Sequence, residues 1–229
     1  MALHEILELH DRTSVFRDRG HAGDVLAGML QSLRGSDLRV LAIPAGGVPV
    51  AAALSRALAL PLAVAVVSKI TLPWNTEVGY GAVAFDGTVR LNDELVAHFG
   101  LDRAATDQGV AVTLAKVRRR VRELPCALVP DELAGHPVVL VDDGLASGFT
   151  MQVAIEALRG IGLERILVAA PTGSQRTLRR LEPLVDELYC ANVRGGLGFA
   201  VAAAYARWTD VAESEATQIL ADLRDAAQS

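Results

Sequence analysis

The sequence of 229 residues is poor in cysteine, with Cys126 and Cys190 as its only two. Two cysteines are too few for a disulfide framework, and with five scattered histidines they make no zinc-binding cluster. No apolar run reaches the roughly 20 residues of a membrane-spanning helix; Arg56 and Pro61 interrupt the stretch 54–67. These absences exclude a disulfide-stapled scaffold, a zinc finger and a spanning helix.

The first residues, which include His4 and Glu5, lack the apolar core of a signal peptide, so we expect a soluble, cytoplasmic protein with no membrane partner. The 22 basic and 27 acidic side chains give a net charge of −5, which argues against extensive nucleic-acid binding. With 51% hydrophobic residues the chain is too apolar for disorder, and its length predicts one domain over residues 1–229.

Apolar strands alternate with helical segments along the chain, which predicts an α/β fold with a mostly parallel sheet and helices on both faces. Ligands bind at the carboxyl ends of the strands in such sheets. The predicted strands are 38–43, 62–67, 137–141, 165–170 and 185–190. The predicted helices are 20–33, 48–60, 92–99, 102–123, 148–158, 175–181 and one in the tail; the Arg118–Arg120 run in the fourth is interpreted as a solvated face.

The third predicted strand ends in two acids, Asp142 and Asp143, and a turn of small residues then opens a helix. Backbone N–H groups and the hydroxyls of Ser147 and Thr150 at that helix start predict a phosphate site. The paired acids suit the vicinal hydroxyls of a ribose. Helix capping is the alternative, but it accounts for one Asp and one Ser, not for two charges after four apolar residues.

Residues 138–150 resemble the signature of the type I phosphoribosyltransferases, with Ser147 in place of the family's first threonine. The resemblance implies binding of 5-phosphoribosyl 1-pyrophosphate (PRPP), with the acids on the ribose hydroxyls and the following loop on the 5-phosphate. The residues that it assigns to PRPP here are Asp142, Asp143, Gly144, Ala146, Ser147, Gly148, Phe149 and Thr150.

Other segments resemble a bacterial branch of predicted phosphoribosyltransferases, so that the likeness runs from about Phe16 to the tail. They are 16–19, 22–23, 44–51, 68–70 and 81–83. In this comparison Ala45, Gly46 and Gly47 form the pyrophosphate loop, which in the family often contains a cis non-proline peptide; a tight turn alone would also explain the glycines. The branch usually has Arg where this chain has Ala45. Either catalysis is weakened, or Mg²⁺ and another side chain supply the charge.

The resemblance places a basic residue near the pyrophosphate, which here is Lys69, one of only two lysines. An exposed lysine at a strand end is the alternative. We expect Asp142, Asp143 and Lys69 to be the catalytic residues, with Mg²⁺ as the cofactor and the two acids as its indirect ligands.

Residues 71–90 match the flexible loop that closes over the active site in this family, with Glu77 and Tyr80 as its contributors. A surface hairpin around Asp86 and Gly87 is the alternative. Residues 191–229 would form the hood, which selects the acceptor. Phe199 and Trp208 either belong to the hood core or stack on a base.

The sequence therefore predicts a Mg²⁺-dependent phosphoribosyltransferase that displaces pyrophosphate from PRPP with a nitrogenous base or related acceptor. Ala146 stands where the 6-oxopurine enzymes have Asp, which disfavours hypoxanthine and guanine and leaves adenine-like, orotate-like or other acceptors. The alternative is a PRPP- or nucleotide-binding regulatory protein of the same fold without turnover. The resemblance also leaves room for a homodimer.

Overall fold

The computed structural model describes residues 3–196 and 198–228, without the side chains of residues 77, 227 and 228. Its central sheet has six parallel strands in the order β1-β9-β8-β7-β2-β3, and a second, antiparallel sheet has the order β4-β5-β6. The strands are β1 (Leu3–His4), β2 (Arg39–Ala42), β3 (Leu62–Val64), β4 (Val67–Leu72), β5 (Asn75–Ala84), β6 (Val89–Leu91), β7 (Val138–Val141), β8 (Ile166–Ser174) and β9 (Glu187–Arg194).

Seven α-helices among the described residues accompany these strands, and short 3₁₀ turns link several elements. The helices are α1 (Arg19–Met29), α2 (Gly47–Leu58), α3 (Asp93–His98), α4 (Arg103–Glu123), α5 (Phe149–Gly160), α6 (Gln175–Leu181) and α7 (Glu213–Gln228). Asn92 and Asp102 cap α3 and α4 as predicted, since their side chains accept the N–H groups of Leu95 and Ala105.

The central strands are buried on both faces, which is why they read as continuous apolar runs. All four residues of β7 are buried, and so are three of the four in β2. β2 and β7 are neighbours, and Ala42 pairs with Val141 at their last residues. The predicted α/β fold with a parallel sheet is confirmed, and the register brings the ends of β2 and β7 to one level.

The second predicted strand, 62–67, is wrong as a single element. β3 leaves the parallel sheet after Val64, and β4 begins the antiparallel sheet at Val67. Residues 64–67 are all buried, so the apolar run continues through the point where the chain changes sheet. The hairpin around Asp86 is confirmed, because the Thr88 N–H and hydroxyl both donate to the Asp86 carboxylate and Gly87 has φ +96°.

The predicted hood, 191–229, includes the end of a central strand and a long helix. β9 continues in the central sheet to Arg194, and α7 packs against α2 through buried residues that include Ala216 and Leu220. The segment 195–212 lies between them, with Leu197 outside the described residues. Within the part of the chain that the structure describes, no helix combines the length and the apolar character needed to cross a membrane.

Close packing of α1 on α2 generates the first prediction. A Cβ at Gly23 would lie 2.4 Å from the Val50 carbonyl oxygen and 2.7 Å from the Ala53 Cβ, whereas a Cβ at Gly28 would meet nothing within 4 Å. We expect Gly23→Ala to destabilise the fold by about 1–3 kcal/mol through overpacking. Gly28→Ala on the same helix should instead stabilise it by up to about 1 kcal/mol. Urea unfolding of both variants measures this; equal effects would contradict the packing argument.

Candidate functional site

A cleft of about 480 Å³ opens where β2 and β7 end. One wall consists of Ile43, Pro44 and the residues after β7, from Asp142 to Gly148 together with Thr150. The facing wall consists of the antiparallel sheet and α4, with Val67, Ser68, Lys69, Thr71, Thr76, Lys116 and Arg120. The structure thus brings Pro44, both acids, most of the predicted phosphate loop and Lys69 to one cavity, whereas Ala45, Gly46, Gly47 and Phe149 are not among the residues that line it.

Asp142 and Asp143 line this cleft, directly after β7. The Asp142 Oδ1 accepts the N–H of Asp143 at 2.9 Å. Burial raises the pKa of Asp142 well above its usual range, and the negative charge of Asp143 raises it further. Burial also raises the pKa of Asp143, although the positive charge of Arg19 opposes that effect. Two acids held this close hold a proton tightly unless hydrogen-bond donors compensate their charges.

Arg19 is the partner of Asp143, and the sequence analysis did not assign it to the site. Its Nε and Nη2 both lie 2.8 Å from Asp143 Oδ2, and its Nη1 donates to the Thr209 carbonyl oxygen at 2.7 Å. The guanidinium lies 3.8 Å from the ring centroid of Trp208, and the Tyr205 hydroxyl donates to the Asp143 carbonyl oxygen at 2.6 Å. Segment 195–212 therefore orients the second acid through Arg19 and Tyr205.

The predicted pyrophosphate loop packs directly on the acids. The Pro44–Ala45 peptide is cis, as the resemblance implies. A Cβ at Gly46 would lie 2.2 Å from Asp143 Oδ2, and one at Gly47 would lie 2.6 Å from the Val141 carbonyl oxygen. Both positions therefore require glycine because the loop backbone lies too close to residues 141–143 for a side chain, and not only because the chain turns there.

The predicted phosphate loop, residues 144–150, leads into α5 and is held from behind by α6. Gly148 has φ +64°, and a Cβ there would lie 2.4 Å from the Thr177 Cγ2. The Thr177 hydroxyl donates to the Ala146 carbonyl oxygen, and the Arg180 guanidinium donates to that of Ser147. These bonds anchor two of the loop's carbonyl groups to α6, and the first N–H groups and the macrodipole of α5 favour an anion.

The predicted position of Lys69 needs correction, although it does line the cleft. It lies within β4, opposite Ala82, and not at the carboxyl end of a parallel strand. The reason is the change of sheet after Val64, which turns the expected strand end into the middle of a hairpin. Its stem passes Gly79, where a Cβ would lie 3.1 Å from Lys69 Cδ.

The interpretation of Arg118–Arg120 as a solvated face is wrong for Arg120. Its side chain is 12% exposed, its Nε lies 2.8 Å from Glu213 Oε1, and its Nη1 donates to the Ser68 hydroxyl at 3.4 Å. Lys116 lies one helical turn earlier and also lines the cleft. Their spacing of four residues indicates that Lys116 and Arg120 share one face of a helix. The sequence did not show that this face of α4 meets the antiparallel sheet.

The two residues predicted from the flexible loop do not both meet the cleft. Tyr80 is buried, and its hydroxyl packs so closely on α4 that a Cβ at Gly109 would lie 1.9 Å from it; burial also raises its pKa. It belongs to the core beneath α4, which corrects its assignment to the site. The side chain of Glu77 lies outside the described residues. Thr71 and Thr76 line the cleft from this segment instead.

The comparisons with known proteins agree with this geometry. The phosphoribosyl transferase domain family matches residues 19–183, and the chain belongs to that family. Two proteins from Mycobacterium tuberculosis strains, both provisionally named phosphoribosyl transferases, are 35% identical over 206 residues, which are 90% of this chain and 46% of theirs. The crystal structure of TT1426 from Thermus thermophilus has a TM-score of 0.69 and 32% identity, covering 90% of this chain and 98% of that one. This chain thus spans about half the length of its curated relatives.

The raised pKa of Asp142 generates the second prediction. The folded protein binds this proton more tightly than the unfolded chain does, so wild-type stability falls as the pH rises from the unfolded to the folded pKa. Asn keeps an oxygen for the Asp143 N–H and cannot ionise. We expect Asp142→Asn to be more stable than wild type at pH 8, with a difference that shrinks towards pH 4. Guanidinium unfolding at both values measures this, and equal stability at pH 8 would contradict it.

Proposed function

We propose that this domain transfers ribose 5-phosphate from PRPP to a nitrogen atom of an acceptor and releases pyrophosphate. The observation that carries the proposal is one cleft lined by a helix-start phosphate loop and by two adjacent acids, against which a glycine loop is closely packed. The phosphate loop suits the 5-phosphate, the acids suit the ribose hydroxyls, and the Ala45–Gly47 loop suits the diphosphate.

In this mechanism Asp142 and Asp143 accept hydrogen bonds from the ribose hydroxyls, which favours their ionised forms. The bond between C1 and the diphosphate oxygen breaks, and its electron pair leaves with the pyrophosphate. The acceptor nitrogen then bonds to C1 through its lone pair and gives up a proton. The two carboxylates stabilise the positive charge that develops on the ribose ring, and Lys69 stabilises the leaving pyrophosphate.

The residues present fit Mg²⁺ as an ion that arrives with PRPP. Mg²⁺ sites commonly use one or two carboxylates together with substrate phosphates and water. Among the described residues no group of three or more His, Cys, Asp or Glu side chains could hold a metal ion, whereas Asp142 and Asp143 provide a carboxylate pair. Bound there through water and substrate oxygens, Mg²⁺ would neutralise charge on the diphosphate.

The acceptor is a base that needs no acid from position 146. Ala146 lines the cleft and offers no carboxylate to a purine N7. Val201 packs over the same loop, since a Cβ at Gly144 would lie 2.4 Å from its Cγ1. We therefore propose an adenine-like, orotate-like or similar acceptor, held between the loop and segment 195–212.

A second candidate is a PRPP- or nucleotide-binding regulator of the same fold without turnover. It is favoured by Ala45, which leaves the glycine loop without a charged side chain. PRPP binding without pyrophosphate release for every acceptor tested would select this candidate.

The third prediction tests the proposal itself. Wild-type protein with Mg²⁺ and PRPP should release pyrophosphate with at least one base from a panel of purines and pyrimidines. The Asp142→Asn, Asp143→Asn double variant should bind PRPP at least tenfold more weakly, about 1.4 kcal/mol, because it loses the acceptors for the ribose hydroxyls. Calorimetry measures the affinity, and Asp131→Asn, on an exposed turn, is the control. Unchanged affinity in the folded double variant would exclude the ribose assignment.

The fourth prediction concerns the hairpin tip. A reactive ribosyl cation must be shielded from water, and the tip around Trp74, which is 66% exposed, lies at the end of a wall of the cleft. Arg90 Nε lies 2.7 Å from Glu156 Oε2 and ties β6 to α5, so we place the motion at residues 72–75. Mg²⁺–PRPP should change the Trp74 fluorescence and slow proteolysis there. The Trp74→Phe variant reports the fluorescence change that Trp208 alone contributes. If wild type binds PRPP and its fluorescence change equals that of the variant, the hairpin is static.

A further inference from the structure

The two loops proposed to bind phosphate contain no charged side chain. Residues 44–47 and 144–150 consist of apolar, glycine and hydroxyl residues. The diphosphate and the 5-phosphate of PRPP carry several negative charges. The cations among the residues that line the cleft are Lys69, Lys116 and Arg120, and all three stand on the wall that faces the loops. Positive charge therefore enters the cleft from β4 and from α4.

Two of these cations lie one turn apart on one face of α4, which Thr113 and Val117 anchor in the core. Arg120 is fixed by its ion pair with Glu213 of α7 and its hydrogen bond to Ser68 of β4. Lys116 has no hydrogen bond or ion pair with any described residue. Like charges at this spacing repel each other, and Glu213 forms an ion pair with Arg120 but none with Lys116, so an anion bound at Lys116 would be favourable.

The surroundings of Lys116 are mostly positive. Lys116 is exposed to solvent, and partial burial lowers its pKa. The charge of Arg120 lowers it further, and Arg119 and Lys69 act in the same direction. Glu213 opposes them, but its carboxylate is already engaged by Arg120 and Arg119. Asp142 and Asp143 stand on the other wall of the cleft. An anion bound at Lys116 would relieve this repulsion.

We propose that Lys116, positioned by Arg120, binds the diphosphate group of the substrate and so distinguishes a diphosphate ester from a monophosphate. The inference rests on the proposed function, since it assumes that the 5-phosphate occupies the loop at the start of α5. Lys116 would also supply, from α4, the positive charge that the loop at Ala45 lacks. Ribose 5-phosphate, which has no diphosphate, gains nothing from Lys116.

The test uses calorimetry of the full chain with Mg²⁺ and three probes: PRPP, pyrophosphate and ribose 5-phosphate. Lys116→Met should weaken PRPP and pyrophosphate at least tenfold and change ribose 5-phosphate less than twofold. Arg118→Met removes the same charge from an exposed position on α4 that does not line the cleft, and it should leave all three affinities within twofold. Lys116→Arg should retain binding.

A second experiment measures the number of protons that the protein takes up when it binds pyrophosphate. Because an anion raises the pKa of Lys116 back towards its ordinary value, wild type should take up more protons on binding pyrophosphate at pH 9 than Lys116→Arg does. Buffers of different ionisation enthalpy measure the difference. A purely structural lysine would show none, and equal proton uptake would overturn the proposal.

The outcomes separate this inference from the proposed function. If PRPP binds and Lys116→Met leaves its affinity unchanged, or weakens ribose 5-phosphate equally, the role of Lys116 is overturned and the proposed function stands. If wild type binds pyrophosphate through Lys116 but does not bind PRPP, the proposed function falls and the anion site stands. If wild type binds neither, both fall.

Discussion

The contact on which the site depends is the one between the Asp143 carboxylate and the backbone of Gly46. The equal level of β2 and β7 places a glycine loop against an acid so closely that no Cβ fits between them. Arg19 then balances the acid from the other side, and Trp208 covers the guanidinium. Burial disfavours the charged form of both acids, because it removes their carboxylates from water. The proposed ligand would supply hydroxyl donors to the acids on one wall and phosphate anions to the cations on the other.

The two walls of the cleft differ in chemistry because they come from different kinds of structure. Loops at the ends of parallel strands offer backbone N–H groups and short acids, which suit ribose and phosphate oxygens. The antiparallel sheet and α4 contribute the long cations Lys69, Lys116 and Arg120, which line the cavity. A substrate with phosphate at one end and diphosphate at the other matches such a division.

The parallel sheet and both loops were predictable from sequence because their signals are local. Buried strands give continuous apolar runs, and paired acids before a small-residue turn are rarely structural. The role of Arg19 was not predictable, since its partners Asp143 and Thr209 lie 124 and 190 residues away along the chain. The same holds for Tyr80, which packs beneath α4, and for Lys69, whose strand changes sheet where the apolar pattern continues. Hydrophobic periodicity reports burial, but it does not report which surface covers a residue.

The reach of Arg19 also bears on where this domain can be cut. The family match covers residues 19–183 and contains both loops, both acids and the cations of the facing wall. Yet Thr209, Trp208 and Tyr205, which orient Arg19 and the backbone of Asp143, all lie after it. A fragment trimmed to the match would keep each residue that lines the cleft. It would lose the residues that hold Arg19 and the backbone of Asp143 in place. The structural unit is therefore longer than the family match, and a fusion or a split protein needs its junction beyond residue 209.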